Sequence, residues 1–244
     1  MKRFGLSLLT VMALGSCGYA GGDIAPMEPE MSMDAPVAAD ARGWNVGLKG
    51  GTLGLGVDVS TSINDKLGVR FNINGLKYGM DEEIDDIDYD GDLKLLTAGL
   101  LMDYYPLEAS SFRLSAGVYY NDNKFTGSAR PTAGTTVDIN GIAYDATEVG
   151  QLNAEITFNK VAPYVGIGWG NDTFAKGWSY SFDLGVMYHG TPEADLVATR
   201  GSAVSDVEFA LIEANVEAEK QSLQDEIDSY RFYPVVMVGV NYRF

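Results

Sequence analysis

The chain has 244 residues, with 17 Lys and Arg against 34 Asp and Glu, a formal charge of −17 and 46% hydrophobic residues. This excess of acid leaves no basic surface for nucleic acid, and an anionic polymer would be repelled. One His and one Cys exclude a Cys/His zinc site and any disulfide within the chain.

Residues 1–20 read as an export signal. Lys2 and Arg3 form a positive start, Gly5 to Ala13 an apolar stretch, and Gly18-Tyr19-Ala20 a cleavage site with small residues. The competing expectation is a lipoprotein signal, because Leu14-Gly15-Ser16-Cys17 forms an acceptable lipobox. Residues 21–42 carry Pro26, Pro29 and Pro36, five acids, several Met and no aromatic residue, and are expected to be a disordered acidic tail. The folded part is then 43–244.

From Trp44 onward, apolar and polar residues alternate with period two between turn residues, the signature of strands. Eight segments follow: Trp44 to Lys49, Leu53 to Ile63, Leu67 to Met80, Leu93 to Tyr105, Phe112 to Thr126, Val161 to Gly170, Trp178 to His189 and Arg231 to Phe244. Most are about ten residues long, enough to cross a bilayer as tilted strands. No window beyond the signal is apolar enough for a membrane helix. The expected fold is all-β, an eight-stranded antiparallel transmembrane barrel. Its even strand count leaves no unpaired edge in lipid.

The connections set an orientation. Those at 64–66, 106–111 and 171–177 are short, whereas 81–92, 127–160 and 190–230 are long; with both termini periplasmic, the long ones are outer loops. The faces agree. Phe112, Leu114, Ala116, Val118 and Tyr120 oppose Arg113, Ser115, Gly117 and Asn121, and Trp178 to Tyr188 alternates with Ser179, Ser181, Asp183 and Gly185. Aromatic residues at strand ends suit membrane girdles. The ending Gly239-x-x-Tyr242-x-Phe244 looks like a signal for the outer-membrane assembly machinery, so the expected setting is the cell outer membrane, with lipid and lipopolysaccharide as neighbours.

Four segments carry a family resemblance: Gly117-Val-Tyr-Tyr-Asn121, Val161-Ala-Pro-Tyr-Val-Gly-Ile-Gly168, Asp183-Leu-Gly-Val-Met-Tyr188 with Gly190-Thr-Pro192, and Tyr233-Pro-Val-Val236 with Val238-Gly-Val-Asn-Tyr242. Over roughly 44–244 the chain resembles the CarO-type ornithine-uptake, carbapenem-associated outer-membrane proteins. The resemblance implies an eight-stranded barrel and passage of basic amino acids.

Alternation places Lys49, Asp58, Arg70, Asp103, Arg113, Asp183, Arg231 and Arg243 toward the lumen. Eight strands enclose a space that side chains can fill, whereas open channels belong to barrels of about 16 strands. The charges are therefore either an ion-paired plug or a narrow path for small cationic solutes.

Two outer loops hold most of the acid. Residues 81–92 contain eight acids, and Asp86-x-Asp88-x-Asp90-Gly91 copies half of a calcium loop, with Thr97 at the position where a ligating Glu would stand. A weak calcium or magnesium site and a solvated acidic loop are the two expectations; no other cofactor is expected. In 190–230, Ser205-Asp206-Val207-Glu208 is a capping box with Val204 and Phe209 as its staple. A helix is expected from about 206 to at least 219, packing through Val207, Ala210, Leu211 and Ala214.

Three functions follow in order: a narrow porin, a closed structural or adhesive surface barrel, and, remotely, a lipid-modifying enzyme. The last would rest on His189 near the loop hydroxyl of Thr191, without an assignable oxyanion donor. No enzyme activity is expected.

Overall fold

The computed structural model describes residues 43–244 except 85–86, 108–109, 133 and 171–175. The expected signal peptide and tail lie outside the described residues. In chain order the elements are β1 (Trp44–Gly51), β2 (Gly54–Asn64), β3 (Leu67–Ile84), β4 (Ile87–Tyr104), β5 (Arg113–Asn121), β6 (Lys124–Pro131), β7 (Thr136–Ile139), β8 (Ile142–Asp145), β9 (Val149–Thr157), β10 (Val161–Gly170), β11 (Gly177–Tyr188), β12 (Glu193–Arg200), α1 (Asp206–Ile227) and β13 (Phe232–Arg243).

Eight of these strands close a ring, each antiparallel to its neighbours, in the order β1-β2-β3-β4-β5-β10-β11-β13 and back to β1. Closure pairs the ladder on both sides of every strand, which is what a sheet requires in hydrocarbon. The outside is apolar: Leu48 is 68% exposed, Val165 63% and Val238 58%. Aromatic rings gather at the two rims. At the inner end, beside Trp44 and the C-terminal Phe244, Trp178 packs on Tyr242 with centroids 5.1 Å apart and Tyr242 on Phe244 at 5.0 Å; at the outer end Tyr188 meets Phe232 at 5.3 Å. Ten steps of about 3.3 Å, tilted by about 40°, put Tyr188 about 25 Å above Trp178, the height of a membrane barrel's apolar band.

Beyond the outer rim the wall continues on one side only. The expected strand Phe112 to Thr126 breaks into β5 and β6, because β4 outruns the band: β5 pairs with its inner half, Thr97 to Tyr104, and β6 with its outer half, Ile87 to Lys94. The break stays hydrogen-bonded, as Asp122 N–H donates to the Leu96 carbonyl while Asn123 Oδ1 accepts Leu96 N–H at 2.9 Å. Segments expected to be loops are thus largely strand. Residues 81–84 and 87–92 prolong the β3–β4 ladder, and 127–160 supplies most of β6, the hairpin β7–β8 and β9; β12 completes the outer sheet. The hairpin turns at Asn140 (φ 53°) and Gly141 (φ 79°), a two-residue turn in which both residues take positive φ.

The outer sheet buries its inner face under α1. Ile87, Phe125, Leu152, Ile156 and Leu196 pack with Val137 and Ile139 of the hairpin and with Ile212, Val216, Leu223 and Ile227 of the helix. The capping box of Ser205 and Glu208 starts α1 as expected, and Val204 and Phe209 pack on this core. The buried stripe is a different one from that expected. Val207 and Leu211 are 75% and 63% exposed, and Ala210 and Ala214 also face outward. Helix position is decided further along, where Gln224 accepts Ala194 N–H at 2.9 Å and donates to the Pro192 carbonyl at 2.8 Å, tying the helix to the start of β12. Glu219, on the buried face, accepts the amide of Asn140 at 3.1 Å, which satisfies the carboxylate and docks the hairpin.

Candidate functional site

Six of the eight predicted lumen residues meet in one layer. Lys49 on β1, Asp58 on β2, Arg70 on β3, Asp103 on β4, Arg113 on β5 and Asp183 on β11 are each at most 7% exposed. Period-two alternation brings them inward, and the tilt of the strands brings different positions to one height. Asp183 lies halfway between the girdle residues Trp178 and Tyr188 of its strand, so the layer crosses the barrel near mid-membrane.

Asp183 is the hub. It accepts from Lys49 Nζ at 2.8 Å, from Arg70 Nη1 at 3.1 Å to both carboxylate oxygens, and from Arg113 Nη2 at 2.5 Å. Arg70 Nη2 reaches Asp103 at 2.9 Å, and Ser115 donates to the same Asp103 oxygen at 2.5 Å. Arg113 also donates to the Gly170 carbonyl. Its guanidinium lies over Gly168, where any Cβ would come within 2.8 Å of it. Asp58 is attached differently: its Oδ2 stands 2.8 Å from Lys49 Nζ, an ion pair that is not aligned as a hydrogen bond. Three cations and three carboxylates neutralise one another, as buried charges at membrane depth must.

The two remaining lumen candidates fall elsewhere. Arg243 is buried at the inner end, its guanidinium against Gly43, two positions from Asn241, which donates to Ser181 at 2.9 Å. Arg231 is a correction: it precedes β13, is exposed, and donates to the Asp228 carbonyl at 3.0 Å. The alternation that pointed it inward ends at Phe232, where the chain leaves the helix turn.

On the outer side of the charge layer is an apolar one that sequence reasoning did not identify. Leu53, Leu101, Tyr119, Tyr164, Met187, Val235 and Met237 form a buried cluster across the lumen. Tyr119 and Tyr164 meet edge to face at 5.4 Å, and Asn72 donates to the Tyr119 hydroxyl at 3.2 Å. Between the layers remains a void of about 10 Å³, room for about one water molecule. Glycines at inward positions of β5, β10 and β11 were a signal for this layer, since they make room for large neighbours; the Tyr164 ring lies over Gly185 and Gly166.

At the C-terminal strand, Tyr242 is in the inner girdle, and Gly239 faces inward, its missing side chain occupied by the stem of Lys49. Phe244 is 63% exposed on the outside. Of the metal candidates, Asp86 lies outside the described residues. Asp88 and Asp90 stand on regular strand opposite Arg130 and Ser128 of β6, rather than on a sharply bent loop. Asp90 and Asp92 instead line an outward groove of about 400 Å³ with Ser128, Asn153, Glu155 and Asp195.

His189 lies beyond the end of β11, only 4% exposed, where barrel and outer sheet join. Its ring packs edge to face on Phe158 at 4.6 Å and against Tyr233 at 6.2 Å, and its Nδ1 has no hydrogen-bond partner among the described residues. Burial pushes its pKa below the ordinary value. Among the described residues no carboxylate lies within ion-pair distance of it, and Thr191 is only half-buried in the next turn.

A closed antiparallel ring with an apolar exterior, two aromatic girdles and a polar interior defines a β-barrel of the outer membrane. Two solved structures have the same fold. CarO2 of Acinetobacter baumannii matches over 83% of this chain and 98% of its own, at 22% identity and a TM-score of 0.56. CarO of the same organism matches over 86% and 98%, at 23% identity and a TM-score of 0.53. No family model and no curated protein matches the sequence.

Proposed function

We propose that the protein is a closed surface barrel: a membrane anchor with a sealed lumen that holds an outer β–α unit above the bilayer. The observation that carries this reading is the neutral six-residue charge layer centred on Asp183, backed on its outer side by the Tyr119 and Tyr164 layer. A hydrated solute would have to separate ion pairs at membrane depth and then part a packed apolar layer. Separating a buried pair costs about 3–5 kcal/mol for each partner lost, and the void between the layers holds no solute.

A second reading, a gated path for small cations such as basic amino acids, has one specific support. The acid-lined outer groove of Asp90, Asp92, Glu155 and Asp195 would attract them to the surface. Liposomes loaded with the purified barrel and offered labelled ornithine or glutamate distinguish the two. A sealed barrel admits neither above the rate of empty liposomes. Saturable entry of ornithine alone establishes the cation path.

A further inference from the structure

The ladder of the wall places lysines side by side. Lys77 of β3 is the direct cross-strand partner of Lys94 of β4, and Lys94 is in turn the partner of Lys124 of β6. Like charges directly opposite one another destabilise a sheet, so such a row calls for neutralisation. A fourth ammonium joins it from the next strand pair: Asp122 is held by Lys94 at 2.7 Å and also by Lys160. Glu155 pairs with Lys124 at 2.6 Å. Four ammonium groups thus gather about two carboxylates, and the further acids of this face, Asp92 and Asp90, lie on the outward side of the row in the acid-lined groove. Lys77 is exposed and makes no ion pair with any described residue.

Position on the wall says what the membrane side of the row meets. The row begins where the lipid-facing residues end. Directly inward of it on the same outer face are Ile73 (49% exposed), Leu96 (37%), Tyr120 (52%) and Val161 (65%). Lys94 is two residues outward of Leu96, and Lys160 immediately precedes Val161, the cross-strand partner of Tyr120. A ligand seated here has an anionic head against the lysines and an apolar body against the wall below.

We infer that Lys77, Lys94, Lys124 and Lys160 form a binding site for the phosphorylated headgroup of an outer-leaflet lipid, whose acyl chains lie over Ile73, Leu96, Tyr120 and Val161. The phosphate sits on the membrane side of the row, away from the acid-lined groove, and accepts charge-assisted hydrogen bonds from the ammonium groups, Lys77 first, which has no ion pair with a described residue. Asp122 and Glu155 orient the lysines and keep them apart. The site is on the outside of the wall and stands whether or not the lumen passes solutes.

The test uses the full barrel, refolded in detergent free of lipopolysaccharide and titrated with diphosphoryl lipid A, with bound lipid counted by native mass spectrometry. Lys77→Ala/Lys94→Ala/Lys160→Ala is compared with Lys220→Ala, which removes a lysine of the outer helix. The triple variant is expected to bind lipid A at least about tenfold more weakly, as loss of charge-assisted contacts predicts, whereas Lys220→Ala binds as the parent does. Fully dephosphorylated lipid A should not bind, and millimolar inorganic phosphate should not displace the lipid. Should the triple variant fail to fold, judged by gel migration before and after heating, the exposed Lys77→Glu replaces it, with the same weakening expected. Undiminished binding by the variant, equal binding of the dephosphorylated lipid, or displacement by free phosphate would each overturn the assignment.

Discussion

Arg70 Nη1 lies 3.1 Å from each carboxylate oxygen of Asp183, so that β3 and β11 are joined across the lumen by one guanidinium nitrogen. Arg70 then reaches Asp103 through its other terminal nitrogen, and Asp183 takes Lys49 and Arg113. The barrel is therefore cross-braced at mid-membrane, and the proposal of a closed lumen rests on this brace.

Because Asp183 accepts from three cations and Asp58, among the described residues, has one ion pair, an unaligned contact to Lys49, the two acids should differ in cost. Asp183→Asn is expected to destabilise the barrel by about 3–5 kcal/mol, the usual loss when a buried charge is stripped of its partner, and Asp58→Asn by clearly less. Urea unfolding in detergent or lipid, followed by tryptophan fluorescence, measures both.

The helix face can be checked by truncation. Leu223→Ala removes a side chain 2% exposed and should cost about 2–5 kcal/mol, while Leu211→Ala, at a position 63% exposed, should change stability by no more than about 0.5 kcal/mol. Ser205→Ala opens the capping box and should cost about 1 kcal/mol. Limited proteolysis of the outer unit gives the same ranking without unfolding the barrel.

Asp122 reports on the lysine row. Hydrogen bonds from Lys160 and then Lys94 hold its carboxyl down to a pKa of about 2, against 3.8 for the free group. A depressed carboxyl contributes its stabilisation above pH 3.8 and loses it as pH falls through about 2. Carbon-detected NMR titration should show that midpoint, and Lys160→Ala should move it up toward 3.8.

The barrel was far more legible in the sequence than what lies above it. Strand alternation carries through Phe112 to Tyr120 and Trp178 to Tyr188 because one face meets lipid and the other a filled lumen, which separates polar from apolar residues cleanly. Above the band, water replaces lipid on one face, and Ser128, Gln151 and Asn153 take outward positions that read as loop. The Asn140-Gly141 pair announced a hairpin within 127–160, a local signal outweighed by the length and polarity of the segment. On α1, Val207 and Leu211 have the right spacing for burial, yet the helix is anchored by Gln224 and Glu219, polar residues whose partners lie on distant strands. Lumen charges were found by parity alone; that Asp183 would be their hub depends on strand stagger around the ring, which no single strand encodes.

His189 predicts a dependence on acidity at the joint between barrel and outer unit. Its pKa is lowered by burial among Phe158 and Tyr233, so the unfolded chain binds the proton more readily than the folded one. Stability should then fall as pH drops below about 6.5 toward the folded value. Replacing His189 with Phe should flatten that part of the profile, as followed by thermal denaturation between pH 7.5 and 5.

The sealed lumen is tested most directly by electrical recording. Purified barrels inserted into a planar bilayer in concentrated potassium chloride should give no conductance steps above the bare membrane, even though insertion is verified by protection from added protease. Regular, repeated conductance steps from the wild-type protein would show that ions pass the Asp183 layer and would contradict a closed barrel.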